Sequence, residues 1–414
     1  MNQSARRIAA LAVLLLLTVF PGCAALRIRQ PVPVDLMSEA RVPSFGDIRA
    51  WGDELNPAFQ AAATARYKKM VTKAAHGDAP EADPAGSGIL VLSGGGSDGA
   101  FGAGLLCGWS AHGDRPRFHL VTGVSTGALI APFAFLGKDY DAQLKEAYTT
   151  IEAKDVLLIG GSIRVLGRLL RGDSLSDSSP LHKLVQKFVD QKALDAIAAE
   201  HAKGRRLYIG TTNLDAQRPI IWDMGAIASS GRPEALTLFR NILVASAAIP
   251  GVFSPVYLDV EAGGKTYDEM HVDGGVTAEL FAYGNTVNYA AAARDAGMAV
   301  PPSMPLYVIR NSLLRPEYLQ ISPRVASIST RAVLSLIKSQ GEGDIYRLYT
   351  IARRDNLKFH LASIPDSFVR GTAEEFDKKE MNRLFEVGFD LGQHGCNWKS
   401  LPPRFIDVAP ATQP

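Results

Sequence analysis

Gly88-Ile89-Leu90-Val91-Leu92-Ser93-Gly94-Gly95-Gly96-Ser97-Asp98-Gly99 decides how the rest of this chain is read. A short apolar run stops at glycines, the pattern of a buried strand. The main domain starts here, at Gly88. Similar runs recur at Phe118-His119-Leu120-Val121-Thr122, at Leu207 to Thr212 and at Leu306 to Arg310. Helical patterns lie between or after them, at Ala128 to Phe135, Leu181 to Ala199 and Ser327 to Lys338, with a late amphipathic helix at Phe376 to His394. Alternating strands and helices predict an α/β fold: a largely parallel central sheet covered on both faces.

Three glycine-bearing motifs sit on this frame. Gly94-Gly95-Gly96-Ser97-Asp98-Gly99 fits G-x-G-x-x-G, so a dinucleotide site must be weighed. That site wants an acid at the tip of the next strand. The next strand ends instead at Thr122-Gly123-Val124-Ser125, and Asp114 lies before it. The glycines have another use. They let backbone approach a ligand, and a following helix start offers free N–H groups to negative charge. A developing oxyanion needs such donors. The second motif, Gly123-Val124-Ser125-Thr126-Gly127, is a G-x-S-x-G between strand and helix, where a sharp turn would lift the serine hydroxyl clear. The third is Asp273-Gly274-Gly275, whose glycines permit a tight turn that delivers a carboxylate. Taken singly, each motif also reads as a plain structural turn.

Lys plus Arg number 44 against 42 Asp plus Glu over 414 residues. Arg6 and Arg7 stand alone in an acid-free start, so the remainder is neutral. A neutral body argues against a general nucleic-acid binder, which needs a cationic surplus. Three cysteines cannot make a disulfide framework. The apolar run Ile8 to Phe20 rises only about 20 Å as a helix, short of a bilayer core of about 30 Å. Residues 1–22 read as a signal peptide. Phe20-Pro21-Gly22-Cys23 resembles the bacterial lipoprotein signal, which implies diacylation of Cys23. Ala24 after the cysteine implies the outer membrane of a double-membraned bacterium. Residues 23–87 are expected as tether and N-terminal helix, with Ala24 to Asp47 the tether, Asn56-Pro57 opening a helix over Ala58 to Ala75, and a linker at Gly77 to Ser87. The hydrolase domain is expected over 88–400 and a loose tail over 401–414.

The ordered set GGGxxG, GxSxG and DGG resembles the patatin-like phospholipase family. Thr211-Thr212-Asn213-Leu214-Asp215 and Ala245 to Phe253 add to the likeness. The resemblance implies a three-layer α/β/α fold and a Ser-Asp dyad acting on lipid or carboxylic esters. Ser125 would be the nucleophile and Asp273 its base. Gly94, Gly95, Gly96, Ser97 and Gly99 would form the oxyanion loop, with Gly95 and Gly96 as donors. Gly123 and Gly127 would frame the elbow, and Gly274 and Gly275 the acid turn. No cofactor or metal is implied; the partners are a lipid or ester substrate and, through Cys23, a membrane. The family usually has Arg or Lys where this chain has Asp98, which removes a cation beside the loop.

Other constellations compete. A histidine triad could use His271, His360 or His394. Asp268, Glu269, His271 and Asp273 have the composition of a metal cluster, but strand alternation splits them between faces. Cys107 and Cys396 could pair. Ile163 to Arg171 is basic and amphipathic and could be a lid. A non-catalytic lipoprotein that binds acyl chains is the contrasting function.

Overall fold

The structure, a computed structural model, describes residues 29–75, 87–156, 158–159, 176–283, 285–372 and 374–405. The signal peptide, Cys23, nearly all of the linker, and the Ile163 to Arg171 segment lie outside the described residues. One sheet contains nine strands: β1 (Arg49–Trp51), β2 (Ile89–Leu92), β3 (Leu120–Gly123), β4 (Arg206–Asn213), β5 (Arg218–Asp223), β6 (Val256–Ala262), β7 (Lys265–Asp273), β8 (Met304–Leu313) and β9 (Leu357–Ile364). Their order is β1-β5-β4-β3-β2-β8-β9, with β7 pairing to both β4 and β6. The stretch β4-β3-β2-β8-β9 is parallel. All four apolar runs singled out in the sequence fall in this stretch. The antiparallel pairs are at β1, β5, β6 and β7.

The parallel strands are buried on both faces, which is why they read as unbroken apolar runs. Leu90, Leu92, Val121 and Ile309 point into one core, and Ile89, Val91, Leu120 and Val308 into the other. The helices of seven or more residues are α1 (Pro57–Ala75), α2 (Gly99–His112), α3 (Thr126–Leu136), α4 (Asp141–Thr149), α5 (Ser179–Phe188), α6 (Gln191–Ala202), α7 (Ala235–Ser246), α8 (Tyr289–Asp295), α9 (Val325–Arg354) and α10 (Lys378–Gln393). Phe59 and Tyr67 of α1, Ala292 of α8, and Ile345 and Leu348 of α9 fill the second core. Leu105 of α2, Ile130 of α3, Leu243 of α7 and Leu384 of α10 fill the first. The architecture is therefore the expected α/β/α sandwich.

Three boundaries differ from expectation. Residues 29–47 do not behave as a tether. Arg41 pairs with Glu261, Pro31 bridges to Asp268, and Val32, Ala40, Val42 and Ile48 are buried. Extended chain that borrows its partners from a sheet edge shows neither helical nor strand period. Helix α9 continues well past Lys338, because Ile345, Leu348 and Ala352 keep helical spacing into the core. Gly341 disguises this. A Cβ there would lie 2.5 Å from the Arg310 guanidinium, so a residue that reads as a helix breaker is required for close approach. In the tail, residues 401–405 are placed, with Tyr346 donating to the Pro403 carbonyl at 2.6 Å.

The tightest helix contact joins α2, which carries the glycine loop, to α10. Gly104 and Gly108 face the Phe385 and Phe389 carbonyls, while Gly388 and Gly392 face those of Phe101 and Leu105. A Cβ at Gly388 would sit 2.1 Å from the Phe101 oxygen, which is backbone and cannot rotate away. Gly388→Ala should therefore destabilise the fold by about 1–3 kcal/mol despite alanine's better helix propensity, read as a lower denaturation midpoint. An unchanged or raised midpoint would show that the two helices can part freely.

Candidate active site

Ser125 occupies a backbone conformation that L-residues rarely adopt, φ +54° and ψ −125°, between the end of β3 and the start of α3. Such strain persists only where the surroundings enforce it. Here a Cβ on Gly123 would be 2.4 Å from the Gly127 carbonyl, and one on Gly127 would be 2.4 Å from that of Leu92. The strand, the turn and the neighbouring strand thus pass with no room for side chains. Ser246 fixes the elbow further by accepting from the Ser125 amide at 3.0 Å and donating to the Gly210 carbonyl at 2.7 Å.

The glycine loop runs alongside. Gly95 has φ +150° and Gly96 φ +57°. A Cβ on Gly95 would lie 2.0 Å from the Asn311 carbonyl. Asn311, near the end of β8, pins the loop: its amide donates to Ser93 Oγ and its side chain to the Ser93 carbonyl, both at 2.8 Å. The amides of Gly95 and Gly96 find no acceptor among the described residues. They are available to a developing oxyanion.

Asp273 is the last residue of β7 and is fully buried. Its Oδ1 accepts from the Gly275 amide at 2.7 Å, and Oδ2 has no completed hydrogen bond. Burial pushes its pKa up to about 7, opposed by the Ser125 hydroxyl and the Gly275 amide. The two Asp273 observations fit together when the serine contact is near but not yet well aligned, as resting catalytic contacts often are. Gly274 is required here because a Cβ would meet the Gly210 carbonyl at 2.5 Å.

Beneath this group lies a residue that the sequence reading missed. The Glu279 carboxyl packs against Gly94 and Gly275: a Cβ on either would meet its oxygens at 2.9 Å and 2.5 Å. It accepts from Arg310 at 2.8 Å, with both side chains buried. Burial pushes Glu279 up to about 8 against the pull of Arg310, and the nearby Asp273 charge adds to the rise. The one available signal was the position of Arg310 and Asn311 at the carboxyl end of a parallel strand, where ligand sites gather.

Asp98 does not stand unpaired beside the loop. Arg370, 272 residues away, grips both of its oxygens and also binds Glu317. Burial pushes Asp98 up to about 6, with Arg370 opposing. Nearby, Ser97 donates to Glu375 at 2.7 Å, so the strap before α10 is tied to the loop twice.

The other expected groupings do not assemble. His271 bonds to Thr211 and Glu269, His360 stacks on Tyr307, and His394 is exposed and bonds to the Asp390 carbonyl; none of these contacts reaches Ser125 or Asp273. Asp268 is taken up by Arg29, and Glu269 by Arg49. Cys107 and Cys396 are buried free thiols, each pushed up to about 12 by burial. From Ser125 an apolar pocket runs inward between α3, α5 and α7, lined by Phe133, Leu181, Phe188, Leu243 and Phe253, with Phe376 at the strap.

Residues 90–283, a little under half of the 414-residue chain, match the family model described as patatin-like phospholipase. The mixed α/β fold with its mostly parallel sheet is consistent with the patatin fold. No curated protein matches this sequence. Among solved structures the chain is similar to VipD from Legionella pneumophila, at 14% identity and a TM-score of 0.31, over 74% of this chain and 66% of that one. The chain thus spans slightly less than two thirds of that protein.

The Glu279–Arg310 pair makes a stability prediction. Glu279→Ala leaves a buried, unpaired guanidinium and should cost about 3–5 kcal/mol in chemical denaturation. Glu279→Gln keeps an acceptor and should cost distinctly less. Equal losses for the two would mean that Arg310 needs only volume, not a partner.

Proposed function

We propose that the protein is a serine acyl hydrolase of the phospholipase, lysophospholipase or esterase type, using Ser125 and Asp273 as a dyad and an acyl-enzyme intermediate. The match to patatin-like phospholipases supports lipid acyl hydrolysis as the class. The observation that carries the residue-level reading is a buried carboxyl with its pKa near 7, beside a strained elbow serine. An unperturbed aspartate, near 3.9, is a poor base at neutral pH, and burial removes that objection.

The steps follow from the geometry. Ser125 Oγ attacks the ester carbonyl carbon and its proton passes to Asp273. The carbonyl oxygen becomes an oxyanion facing the Gly95 and Gly96 amides, which cost no reorganisation because the loop already holds them. Collapse expels the alcohol, which takes the proton from Asp273. Water then attacks the acyl-enzyme, gives its proton to Asp273, and releases the fatty acid as Ser125 recovers its own. The pocket at Ser125 is lined mostly by apolar side chains, which suits an acyl chain.

Ser125→Ala should abolish ester hydrolysis in a folded protein, and Asp273→Asn should lower it by at least about 10². His271→Ala, His360→Ala and His394→Ala should each keep about a tenth of the rate or more. A much larger loss in a folded histidine variant would point to a triad. Because Asp273 must be unprotonated to act, kcat/KM should rise with pH through the region of about 7. A profile with no inflection there would remove Asp273 from the role of base.

We further read Cys23 as acylated and the protein as held at the outer membrane. The support is sequence alone: Phe20-Pro21-Gly22-Cys23 after a short apolar run. Intact mass spectrometry should find a mature chain that starts at a lipid-bearing Cys23. An unmodified N-terminus beyond Cys23 would leave simple secretion. More than one acyl chain is needed for a stable hold.

A further inference from the structure

The Glu279 carboxyl stands where the glycine loop and the acid turn come together. A Cβ on Gly94 would lie 2.9 Å from Glu279 Oε1 and 3.0 Å from Ser125 Cβ, so the first glycine of the loop is flanked by the two side chains. A Cβ on Gly275 would lie 2.5 Å from Glu279 Oε2 and 3.0 Å from Asp273 Oδ1. The Gly275 amide is the donor that holds Asp273 Oδ1, at 2.7 Å. Glu279 thus packs against the residue that fixes the acid. None of its hydrogen bonds among the described residues reaches Ser125 or Asp273, so it touches no reacting atom. Any effect on the dyad passes through Gly275, Gly94 or charge.

Distant segments hold this carboxyl in place. Arg310, on β8, donates to Oε1 at 2.8 Å, and α9 leaves room for the guanidinium at Gly341. From the same helix, Asp344 accepts from the amides of Glu279 and Leu280 at 2.8 Å and 3.1 Å. Arg347 pairs with Asp344 at 3.2 Å. The charged groups that face Glu279 are therefore Asp273 from β7, Arg310 from β8 and Asp344 from α9. Two carboxyls buried around one glycine do not ionise independently. The charge of Asp273 raises Glu279, and such coupling is reciprocal, so charge on Glu279 raises Asp273 in turn. Neutralising Arg310 would not by itself require a carboxyl where the β-carbons of Gly94 and Gly275 would otherwise lie.

We propose that Glu279 is a positioning residue for the dyad, bracing the Asp273-Gly274-Gly275 turn against the first glycine of the loop and coupled in charge to Asp273. This rests on the reading of Ser125 and Asp273 as a hydrolytic dyad. Arg310 holds Glu279, Glu279 supports Gly275, and Gly275 holds Asp273 at the serine.

The test uses the full chain and a soluble short-chain ester, with active sites counted by fluorophosphonate labelling so that kcat refers to folded enzyme. Glu279→Asp keeps the charge and withdraws the carboxyl by one methylene. It should lower kcat by about tenfold or more and leave KM within about twofold, because small displacements of a reacting group are costly. The acyl pocket lies against α3, α5 and α7, away from this residue. A role confined to neutralising Arg310 would leave kcat per labelled site unchanged. Glu279→Gln keeps the shape and removes the charge. The wild-type kcat/KM profile should need two ionisations, near 7 and near 8, and the Gln variant one. Should Glu279→Asp not fold, the Gln variant decides. A second arm needs no turnover. Infrared titration of the carboxyl band that Glu279→Gln removes should give a lower midpoint in Asp273→Asn than in the wild type. If the wild type hydrolyses no ester, the function reading fails and the infrared arm still decides the coupling. An unchanged kcat in Glu279→Asp, the same two inflections in Glu279→Gln, or an infrared midpoint indifferent to Asp273→Asn would each overturn the proposal.

Discussion

At the centre of the molecule, backbone passes backbone with no space for a β-carbon. The Leu92 carbonyl closes on Gly127, the Gly127 carbonyl on Gly123, and the Gly210 carbonyl on Gly274. These contacts bring β2, β3, β4 and the end of β7 to one point. They also force Ser125 into its unusual conformation and deliver Asp273 next to it. Any side chain there would push the strands apart and move Asp273 away from Ser125, so the proposed chemistry depends on the packing of the sheet itself. The α2–α10 glycine crossing repeats the principle one layer out, holding the helix that follows the glycine loop.

The price of that packing is buried charge. Asp273, Glu279, Arg310, Asp98 and Arg370 all lie at or near one wall of the site, and each has a named partner or a raised pKa. Desolvation disfavours charge unless a partner restores the lost hydration. Asp98 and Glu279 have an arginine. Asp273 has only an amide and the serine hydroxyl, so no cation offsets the burial that pushes its pKa up to about 7. The same desolvation that threatens stability thus sets the reactivity. Arg370 adds a mechanical consequence. By joining Asp98 to Glu317 it connects the glycine loop, the strap and the approach to α9, so the surface next to the site is physically continuous with it.

The parallel strands, the elbow and the DGG turn were legible in the sequence, and the reason is local. A strand buried on both faces reads as an apolar run, and a β-carbon-free crossing reads as glycine. Ser125, Gly123, Gly127, Asp273 and Gly274 announce themselves because each requirement falls on a residue type at a fixed spacing. The proposed acyl-enzyme chemistry adds little that these motifs do not already suggest, apart from whether Asp273 is buried.

What the sequence by itself determined is the order of elements and the chemical types at the site. Tertiary structure decided the rest, because it depends on which distant segments meet. Residues 29–47 have no period, yet they lie along the sheet edge through borrowed partners. Gly341 looks like a helix breaker until Arg310 is found in its place for a side chain. Asp98 looks like an unpaired acid until Arg370 arrives from far along the chain, and Glu279 carries no motif at all. Burial, not composition, moves Asp273 toward neutrality. Local backbone constraints are written in residue identity; desolvation and long-range charge pairing are properties of a folded volume and exist only once the chain has closed around them.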